Sequence, residues 1–266
     1  MTGQAKLRSS SDRGTQRAPS SGTVLILGAT SQIARAIALS FANAGYDLVL
    51  AGRTPDELER VAADIRIRRA ADVRTETFDA SDTESHQEFV ARVLADCGHA
   101  LAGVIVVFGL LGDSERARSD FSHAEEIIRI NYVGASSVLT HLASHFEQAG
   151  HGFIVGVSSV AGDRGRASNY IYGSAKGGLS LFLQGLRNRL HSRGVQVLTV
   201  KPGFIDTRMT FGEVPTRLAA DPEVVGKAIV KAVKKRKDVI YVPWFWRYIM
   251  WVIRLLPEFV FKRTNL

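Results

Sequence analysis

The amino-acid sequence predicts a single α/β domain built on a doubly wound parallel sheet with helices on both faces. Short apolar segments suited to buried strands alternate with longer amphipathic segments suited to helices throughout residues 23–242. The first strand runs into a glycine turn and then a helix, as in nucleotide-binding sheets. The length of 266 residues allows one large domain with a proper core but not two comfortable ones.

The predicted elements alternate strictly along the chain. The strands are predicted at 24–27, 47–51, 75–78, 103–108, 153–157, 195–200 and 239–242. The helices between them are predicted at 32–44, 55–69, 84–96, 123–147, 172–192 and 222–235. The first strand, Val24–Leu27, is apolar at every position, which is typical of a parallel strand buried on both faces. This order predicts a Rossmann-type winding over residues 23–242.

The two ends of the chain differ from the domain in composition. Residues 1–22 are mostly Ser, Arg, Gly and Gln, so they are predicted to be a disordered basic tail that cannot bury enough apolar surface to order itself. No apolar stretch follows the first charges, so a secretory signal peptide is not predicted. Residues 243–266 are aromatic and basic, and are predicted to be an amphipathic C-terminal segment.

Composition narrows the classes of function. The content of 45% hydrophobic and 23% charged residues is ordinary for a soluble globular protein. The single cysteine, Cys97, cannot form an intramolecular disulfide, which favours a cytoplasmic location. No metal site is predicted. The net charge of +8 alone allows a nucleic-acid partner, but none is expected, because no nucleic-acid motif is present and the C-terminal charges alternate with bulky apolar residues.

The turn after the first strand is the predicted phosphate-binding site. A strand, a glycine turn and a helix present backbone N–H groups and a positive dipole end to a pyrophosphate. The turn and the first helical residues carry the candidate contacts Gly28, Thr30, Ser31, Gln32 and Ile33. Arg53 follows the second strand, where a basic residue accommodates the 2′-phosphate of NADPH and an acidic one would favour NADH. NADPH is therefore the preferred cofactor, with NADH as the alternative.

Three separated residues form the predicted catalytic group. Tyr172 and Lys176 are four residues apart, so both project from one face of the predicted helix. Ser159 ends a buried strand thirteen residues before Tyr172. Asn131 stands inside the preceding predicted helix, where helix propensity gives no reason for it. In this order and spacing, with the glycine turn upstream, the residues resemble the short-chain dehydrogenase/reductase family.

The resemblance implies a hydride transfer between a nicotinamide cofactor and a carbonyl. Tyr172 would donate the proton in reduction, and Ser159 would hydrogen-bond the carbonyl oxygen. A free phenol has a pKa of about 10, which is too high for efficient proton exchange at neutral pH. The positive charges of Lys176 and the oxidised nicotinamide are expected to lower the pKa of Tyr172. By resemblance, Lys176 also holds the nicotinamide ribose, and Asn131 supports a water relay behind it.

The resemblance adds cofactor contacts outside the glycine turn. Asp79 aligns with an adenine-contacting Asp, and Gly109 is the one residue kept from an Asn-Asn-Ala-Gly motif. The segment after the sixth strand would contact the carboxamide; its candidate residues are Pro202, Gly203, Ile205 and Thr207. Tyr172 and Lys176 belong to the cofactor site as well. In the turn, Gln32 and Ala34 replace the second and third family glycines, and the Gln32 side chain crowds the diphosphate unless it points outward.

The C-terminal segment holds all three tryptophans of the chain. On a continuous helix, Arg247, Arg254 and Glu258 would form one narrow polar stripe. The apolar run of thirteen residues spans only about 20 Å, too short to cross a bilayer. Its composition suits a peripheral position on the inner face of a membrane. The alternatives are a helix packed on the domain, one at an oligomer interface, or a lid over an apolar pocket.

A closer resemblance is to decaprenylphosphoryl 2-keto-pentose reductases within this family. The resembling segments are 107–113, 130–132, 158–164 and 172–174, with Phe245, Arg247 and Tyr248 in the tail. That group also lacks the Asn-Asn-Ala-Gly motif and the middle glycine. The resemblance implies a lipid-linked keto-sugar substrate, a partner flavin oxidase, and a role in cell-wall biosynthesis. A homo-oligomer is expected from the wider family.

Two other functions are compatible with the sequence. One is the reduction of another apolar ketone, such as a steroid or an acyl chain. The other is a nucleotide-binding regulator that has lost catalysis, against which the intact Ser159, Tyr172 and Lys176 argue.

Overall fold

A computed structural model of the chain describes residues 21–69, 71–206 and 219–264. Its sheet has seven parallel strands in the order β3-β2-β1-β4-β5-β6-β7. The strands are β1 (Thr23–Leu27), β2 (Asp47–Gly52), β3 (Val73–Thr77), β4 (Leu101–Val106), β5 (Phe153–Val157), β6 (Gln196–Pro202) and β7 (Val239–Val242). The predicted doubly wound parallel sheet is confirmed. The chain reverses its winding at β1, between β2 and β4, and this reversal opens a crevice at the carboxyl edge of the strands.

Ten α-helices accompany the sheet in the described residues. They are α1 (Gln32–Asn43), α2 (Pro55–Arg68), α3 (His86–Cys97), α4 (Ser114–Ala117), α5 (Phe121–Ile128), α6 (Ala135–Ala149), α7 (Tyr170–His191), α8 (Pro222–Lys234), α9 (Trp246–Leu255) and α10 (Glu258–Phe261). Short elements such as α4 and α10 carry too few turns to show a helical period, so the sequence pattern did not predict them.

The two faces of the sheet form separate apolar cores. Along β1, Val24 and Ile26 face one core, which α1, α2 and α8 complete. Leu25 and Leu27 face the other, which α3, α6 and α7 complete. All four side chains are fully buried, as expected for a central parallel strand with helices on both sides.

The long helix predicted at 123–147 is divided in the structure. A wider π-helical turn covers Arg129–Gly134 and separates α5 from α6. Within this turn Asn131 is fully buried, and its side-chain amide donates to the Ile127 carbonyl oxygen at 2.9 Å. Gly134 is required here, since a Cβ atom on it would lie 2.0 Å from the carbonyl oxygen of Ala80. Periodicity cannot reveal such a turn, because it inserts only one residue into the repeat.

The C-terminal segment packs on the domain through one face. Trp246, Met250 and Ile253 of α9 are buried in a small cluster with Val160 and Phe261. The predicted polar stripe is wrong in one member, because α9 ends at Leu255 and Glu258 belongs to α10. Nothing in the described ranges is a helix with both the length and the apolar character to cross a bilayer. The basic tail predicted at 1–22 lies outside the described residues up to position 20.

Candidate active site

A cavity of about 720 Å³ opens at the carboxyl edge of the sheet, at the crevice where the winding reverses. Elements that are far apart in the chain bring most of the predicted site residues to its wall. Those residues are Gly28, Thr30, Ser31, Gln32, Ile33, Arg53, Asp79, Gly109, Ser159, Tyr172, Lys176, Pro202, Gly203 and Ile205. Asn131 lies behind the wall rather than on it, and Thr207 lies outside the described residues.

The glycine turn is held tightly between neighbouring segments. Gly28 has a φ of +90°, and a Cβ atom on it would lie 2.7 Å from the backbone of Phe108. The Ser31 hydroxyl accepts a hydrogen bond from the Ala34 backbone N–H at 3.1 Å and caps α1. The backbone of the turn is open at Gly28, because this residue has no side chain. The turn also lies at the positive end of the twelve-residue helix α1. These features fit a pyrophosphate.

Charged side chains line the part of the cavity next to the carboxyl ends of β2 and β3. Arg53 is exposed at the wall, and Arg35, in the first turns of α1, lines the same cavity. Burial raises the pKa of the Asp79 carboxyl, but hydrogen bonds from Ser81 and the positive charge of Arg53 outweigh this, so its pKa lies below the usual value. Asp79 is therefore held as an oriented carboxylate.

Ser159 and Tyr172 face each other on the cavity wall. The Ser159 hydroxyl accepts a hydrogen bond from the Ala161 backbone N–H at 3.1 Å, which fixes its position at the end of β5. Burial raises the pKa of Tyr172 to about 12, and a side-chain hydrogen bond with Ser159 opposes the shift. Tyr170, two residues earlier, is 47% exposed and does not line the cavity. The structure thus distinguishes the two tyrosines.

Lys176 is buried beneath Tyr172. Its ammonium donates to the Val157 carbonyl oxygen at 3.2 Å and lies 5.8 Å from the centre of the Tyr172 ring. Burial lowers the pKa of Lys176 to about 8. The expected lowering of the phenol pKa by Lys176 is not found, because desolvation of the phenol is the dominant effect on the pKa of Tyr172.

Asn131 fastens the segment that follows β4. Its amide nitrogen donates to the Leu110 carbonyl oxygen at 2.6 Å, and its amide oxygen accepts from the Leu110 N–H at 3.3 Å. A Cβ atom on Gly109 would lie 2.8 Å from the Asn131 oxygen and 3.1 Å from the Lys176 nitrogen. Gly109, the one residue retained from the family motif after β4, therefore leaves room for the side chains of Asn131 and Lys176.

Sequence reasoning missed several polar residues on the cavity wall, among them Arg166 and Asn169. Both lie on the segment between Ser159 and Tyr172. The sequence held one indication of their role, which was their position between two predicted catalytic residues. Position alone did not separate them from solvated loop residues.

The sequence profile of the short chain dehydrogenase family matches residues 22–217. The chain belongs to this family. An uncharacterized oxidoreductase of Mycobacterium tuberculosis is 43% identical over 240 residues, covering 90% of this chain and 96% of the relative. An uncharacterized oxidoreductase of Streptomyces coelicolor is 37% identical, covering 91% and 95%. A short-chain dehydrogenase of Sphingobium yanoikuyae, solved with NADPH, has a TM-score of 0.75 at 24% identity, covering 89% of this chain and 97% of its own.

Membership in the short-chain dehydrogenase family decides the general activity. The protein is an NAD(P)-dependent oxidoreductase, and its fold agrees with that of solved family members. A nicotinamide cofactor fits the glycine turn at Gly28 and the cavity that runs from there to Tyr172. In the described part of the chain, no cluster of His, Cys, Asp and Glu could hold a metal ion.

Proposed function

We propose that this short-chain dehydrogenase reduces the keto group of a sugar carried on a polyprenyl phosphate, with NADPH as the cofactor. One observation carries the chemistry: Ser159, Tyr172 and Lys176 line the same cavity as the glycine turn. The substrate class is supported by the resemblance to lipid-linked keto-pentose reductases and by the aromatic C-terminal segment that packs beside the cavity. Trp246 of that segment contacts the cavity-lining Phe204 with ring centres 5.2 Å apart.

The bound cofactor supplies the hydride, and the protein supplies the proton and the orientation. With a pKa of about 12, Tyr172 keeps its proton at neutral pH and is available to donate it to the carbonyl oxygen. The Ser159 hydroxyl donates to the same oxygen and stabilises its developing negative charge. Lys176 is buried and donates to the Val157 carbonyl oxygen, and the family resemblance supports its binding to the nicotinamide ribose. Asn131 keeps Leu110 and the segment after β4 in place.

The preference for NADPH rests on two arginines. Arg35 and Arg53 both line the cavity, and a guanidinium is well suited to a ribose 2′-phosphate. No acidic residue stands at position 53, where a carboxylate would bind the ribose hydroxyls of NADH.

The outer face of the C-terminal segment supports a membrane-surface location, where a polyprenyl substrate would be met. Five large side chains there are between 62% and 73% exposed: Trp244, Tyr248, Trp251, Leu255 and Phe259. Arg247 and Arg254 are exposed on α9 among them. Aromatic and basic side chains together suit the headgroup region of an anionic bilayer. The inner face of α9 packs on the domain. A helix packed on the domain and a helix at the membrane surface are therefore compatible interpretations of this segment.

The enzymatic proposal is tested by following NADPH oxidation with a polyprenylphosphoryl 2-keto-pentose and, separately, with a steroid ketone and an acyl ketone. Turnover of the lipid-linked sugar, lost in Tyr172→Phe, is expected. Turnover of only the steroid or acyl ketone would reject the substrate class and keep the reductase chemistry. Tight NADPH binding without turnover of any ketone would support a catalytically silent regulator.

The surface proposal is tested by co-sedimentation with vesicles of phosphatidylglycerol and of phosphatidylcholine. Wild type is expected to sediment with the anionic vesicles, less so as salt rises, and Trp251→Ser should reduce binding. If the protein binds neither vesicle and gel filtration shows that Trp251→Ser dissociates an oligomer, the exposed face is an interface between copies instead.

A further inference from the structure

Among the charged side chains of the described cavity wall, Arg166 is the one that contains a buried polar atom without a hydrogen-bond partner. Its Nε atom is buried and has no hydrogen-bond partner. One terminal nitrogen lies 3.7 Å from the sulfur of Met250, a weak acceptor. Within the described ranges, no carboxylate lies within ion-pair distance of its guanidinium. A guanidinium with five donors is therefore left short of acceptors on the wall of the cavity that Tyr172 also lines.

Asp163, whose negative charge acts on Arg166, and Glu126, on the same cavity wall, each contact another residue. Asp163 accepts from the Lys201 ammonium and from the Tyr241 hydroxyl, the latter at 2.7 Å. Glu126, which also lines the cavity, lies 3.3 Å from a ring nitrogen of His123. Burial lowers the pKa of Arg166, and Asp163 only partly opposes this shift. The positive charge at the wall is thus not neutralised by these neighbours.

Asn169 supplies a second unpartnered polar atom on the same wall. Its side-chain oxygen is buried and has no hydrogen-bond partner among the described residues. Asn169 directly precedes α7 and lies three residues before Tyr172. Buried polar atoms without partners are rare in native proteins, and each one calls for an explanation such as a bound water, a bound ion or a catalytic role. Two of them line the cavity within three residues of each other, close to the proposed proton donor.

We propose that Arg166 and Asn169 form a subsite for the phosphate group of the substrate, with Arg166 binding the phosphate oxygens and Asn169 an adjacent hydroxyl. A planar guanidinium matches phosphate geometry, and the partly desolvated position strengthens the interaction. The subsite makes Arg166 a specificity-determining residue that selects phosphate-bearing ketones over neutral ones. This inference rests on the proposed function and names the part of the substrate that the cavity recognises.

The test measures binding rather than turnover. The NADPH-loaded protein is titrated by calorimetry with farnesyl phosphate, with farnesol and with inorganic phosphate. Wild type is expected to bind farnesyl phosphate at least about tenfold more tightly than farnesol. Arg166→Met should bring the two affinities to within about twofold. Arg92→Met, which removes an arginine of α3 that does not line the cavity, should keep the wild-type preference.

Equal binding of farnesyl phosphate and farnesol to wild type would overturn the proposal, and so would a phosphate preference that survives in Arg166→Met. Because Arg166 lacks a carboxylate partner in the described residues, Arg166→Met is expected to unfold at a temperature no lower than wild type, whereas a structural arginine would lower it. If Arg166→Met does not fold, Arg166→Lys decides: a weakened preference supports the subsite, and an unchanged one rejects it.

The two proposals can fail separately. Turnover of a lipid-linked keto sugar with no phosphate selectivity in the binding test would keep the reductase and reject the subsite. Selective binding of farnesyl phosphate that depends on Arg166, without turnover of the keto sugar, would keep the subsite and reject the substrate. Binding of inorganic phosphate as tight as that of farnesyl phosphate would show a free-anion site and overturn the assignment to the substrate.

Discussion

The guanidinium of Arg164 lies 3.9 Å from the centre of the Phe261 ring. The same group donates to the carbonyl oxygens of Ile253 and Leu256, each at 2.6 Å, at the end of α9. Arg164 thereby joins the loop after Ser159 to both C-terminal helices, α9 and α10. The C-terminal segment is accordingly a structural support for the wall that carries Arg166.

Arg164→Ala is expected to lower the free energy of unfolding by about 2–4 kcal/mol, because it leaves carbonyl oxygens at the end of α9 without their charged donor. The measurement is urea unfolding followed by tryptophan fluorescence. Glu258→Gln is the control, since it removes only the exposed partner of the Arg164 ion pair and should cost less than about 1 kcal/mol. Equal effects of the two substitutions would contradict this role of Arg164.

Gly109→Ala is expected to reduce kcat/KM by about tenfold to a hundredfold, because the new methyl group would displace the Asn131 oxygen or the Lys176 ammonium. Steady-state kinetics with NADPH and a reducible ketone measure the loss. Gly185→Ala is the matched control on α7, where a Cβ atom meets nothing within 4 Å. It should keep full activity and add about 0.5–1 kcal/mol of stability. Unchanged kinetics in Gly109→Ala would contradict the crowding argument.

The buried Lys176 gives the ligand-free protein a distinct pH dependence. Between about pH 8 and 10 the unfolded chain holds the lysine proton and the folded chain has lost it, so the contribution of Lys176 to stability rises with pH. At pH 7 the folded protein instead buries a charged lysine at a cost. Lys176→Met is therefore expected to be more stable than wild type at pH 7, by on the order of 2 kcal/mol, and to lose this advantage by pH 10.

Urea unfolding of both proteins at pH 7, 8, 9 and 10 measures this difference. The range stops at pH 10 because the raised pKa of Tyr172 acts in the opposite direction above it. Lys227→Met, on the exposed face of α8, should leave the wild-type pH dependence in place. A constant difference between wild type and Lys176→Met across this range would show that Lys176 is not desolvated.

Arg53→Ala is expected to weaken NADPH binding by about tenfold to a hundredfold and to leave NADH binding nearly unchanged, because only NADPH carries the 2′-phosphate. Fluorescence titration with each cofactor measures the two affinities. Arg60→Ala provides the comparison, since Arg60 is an exposed arginine of α2 that does not line the cavity. A parallel loss for both cofactors would assign Arg53 to another part of the nucleotide.

The sequence by itself determined the sheet, most of its helices and three candidate catalytic residues that the structure brings to one cavity. These features depend on local patterns: apolar runs for the strands, the four-residue spacing of Tyr172 and Lys176, and the glycine turn at Gly28. Strand and helix ends moved by a few residues, as β3 shows by beginning at Val73 instead of position 75. Ends are set by tertiary contacts that a local pattern does not contain.

The tertiary structure alone decided what depends on distant neighbours. It divided the helix predicted at 123–147, since the π-helical turn is specified by the contact of Gly134 with Ala80 and by the bonds of Asn131 to Leu110. It showed desolvation to be the main effect on the pKa of Tyr172. It also set Arg166 apart from the other described arginines, because a buried Nε without a hydrogen-bond partner is a property of the packed surroundings and not of the residue type.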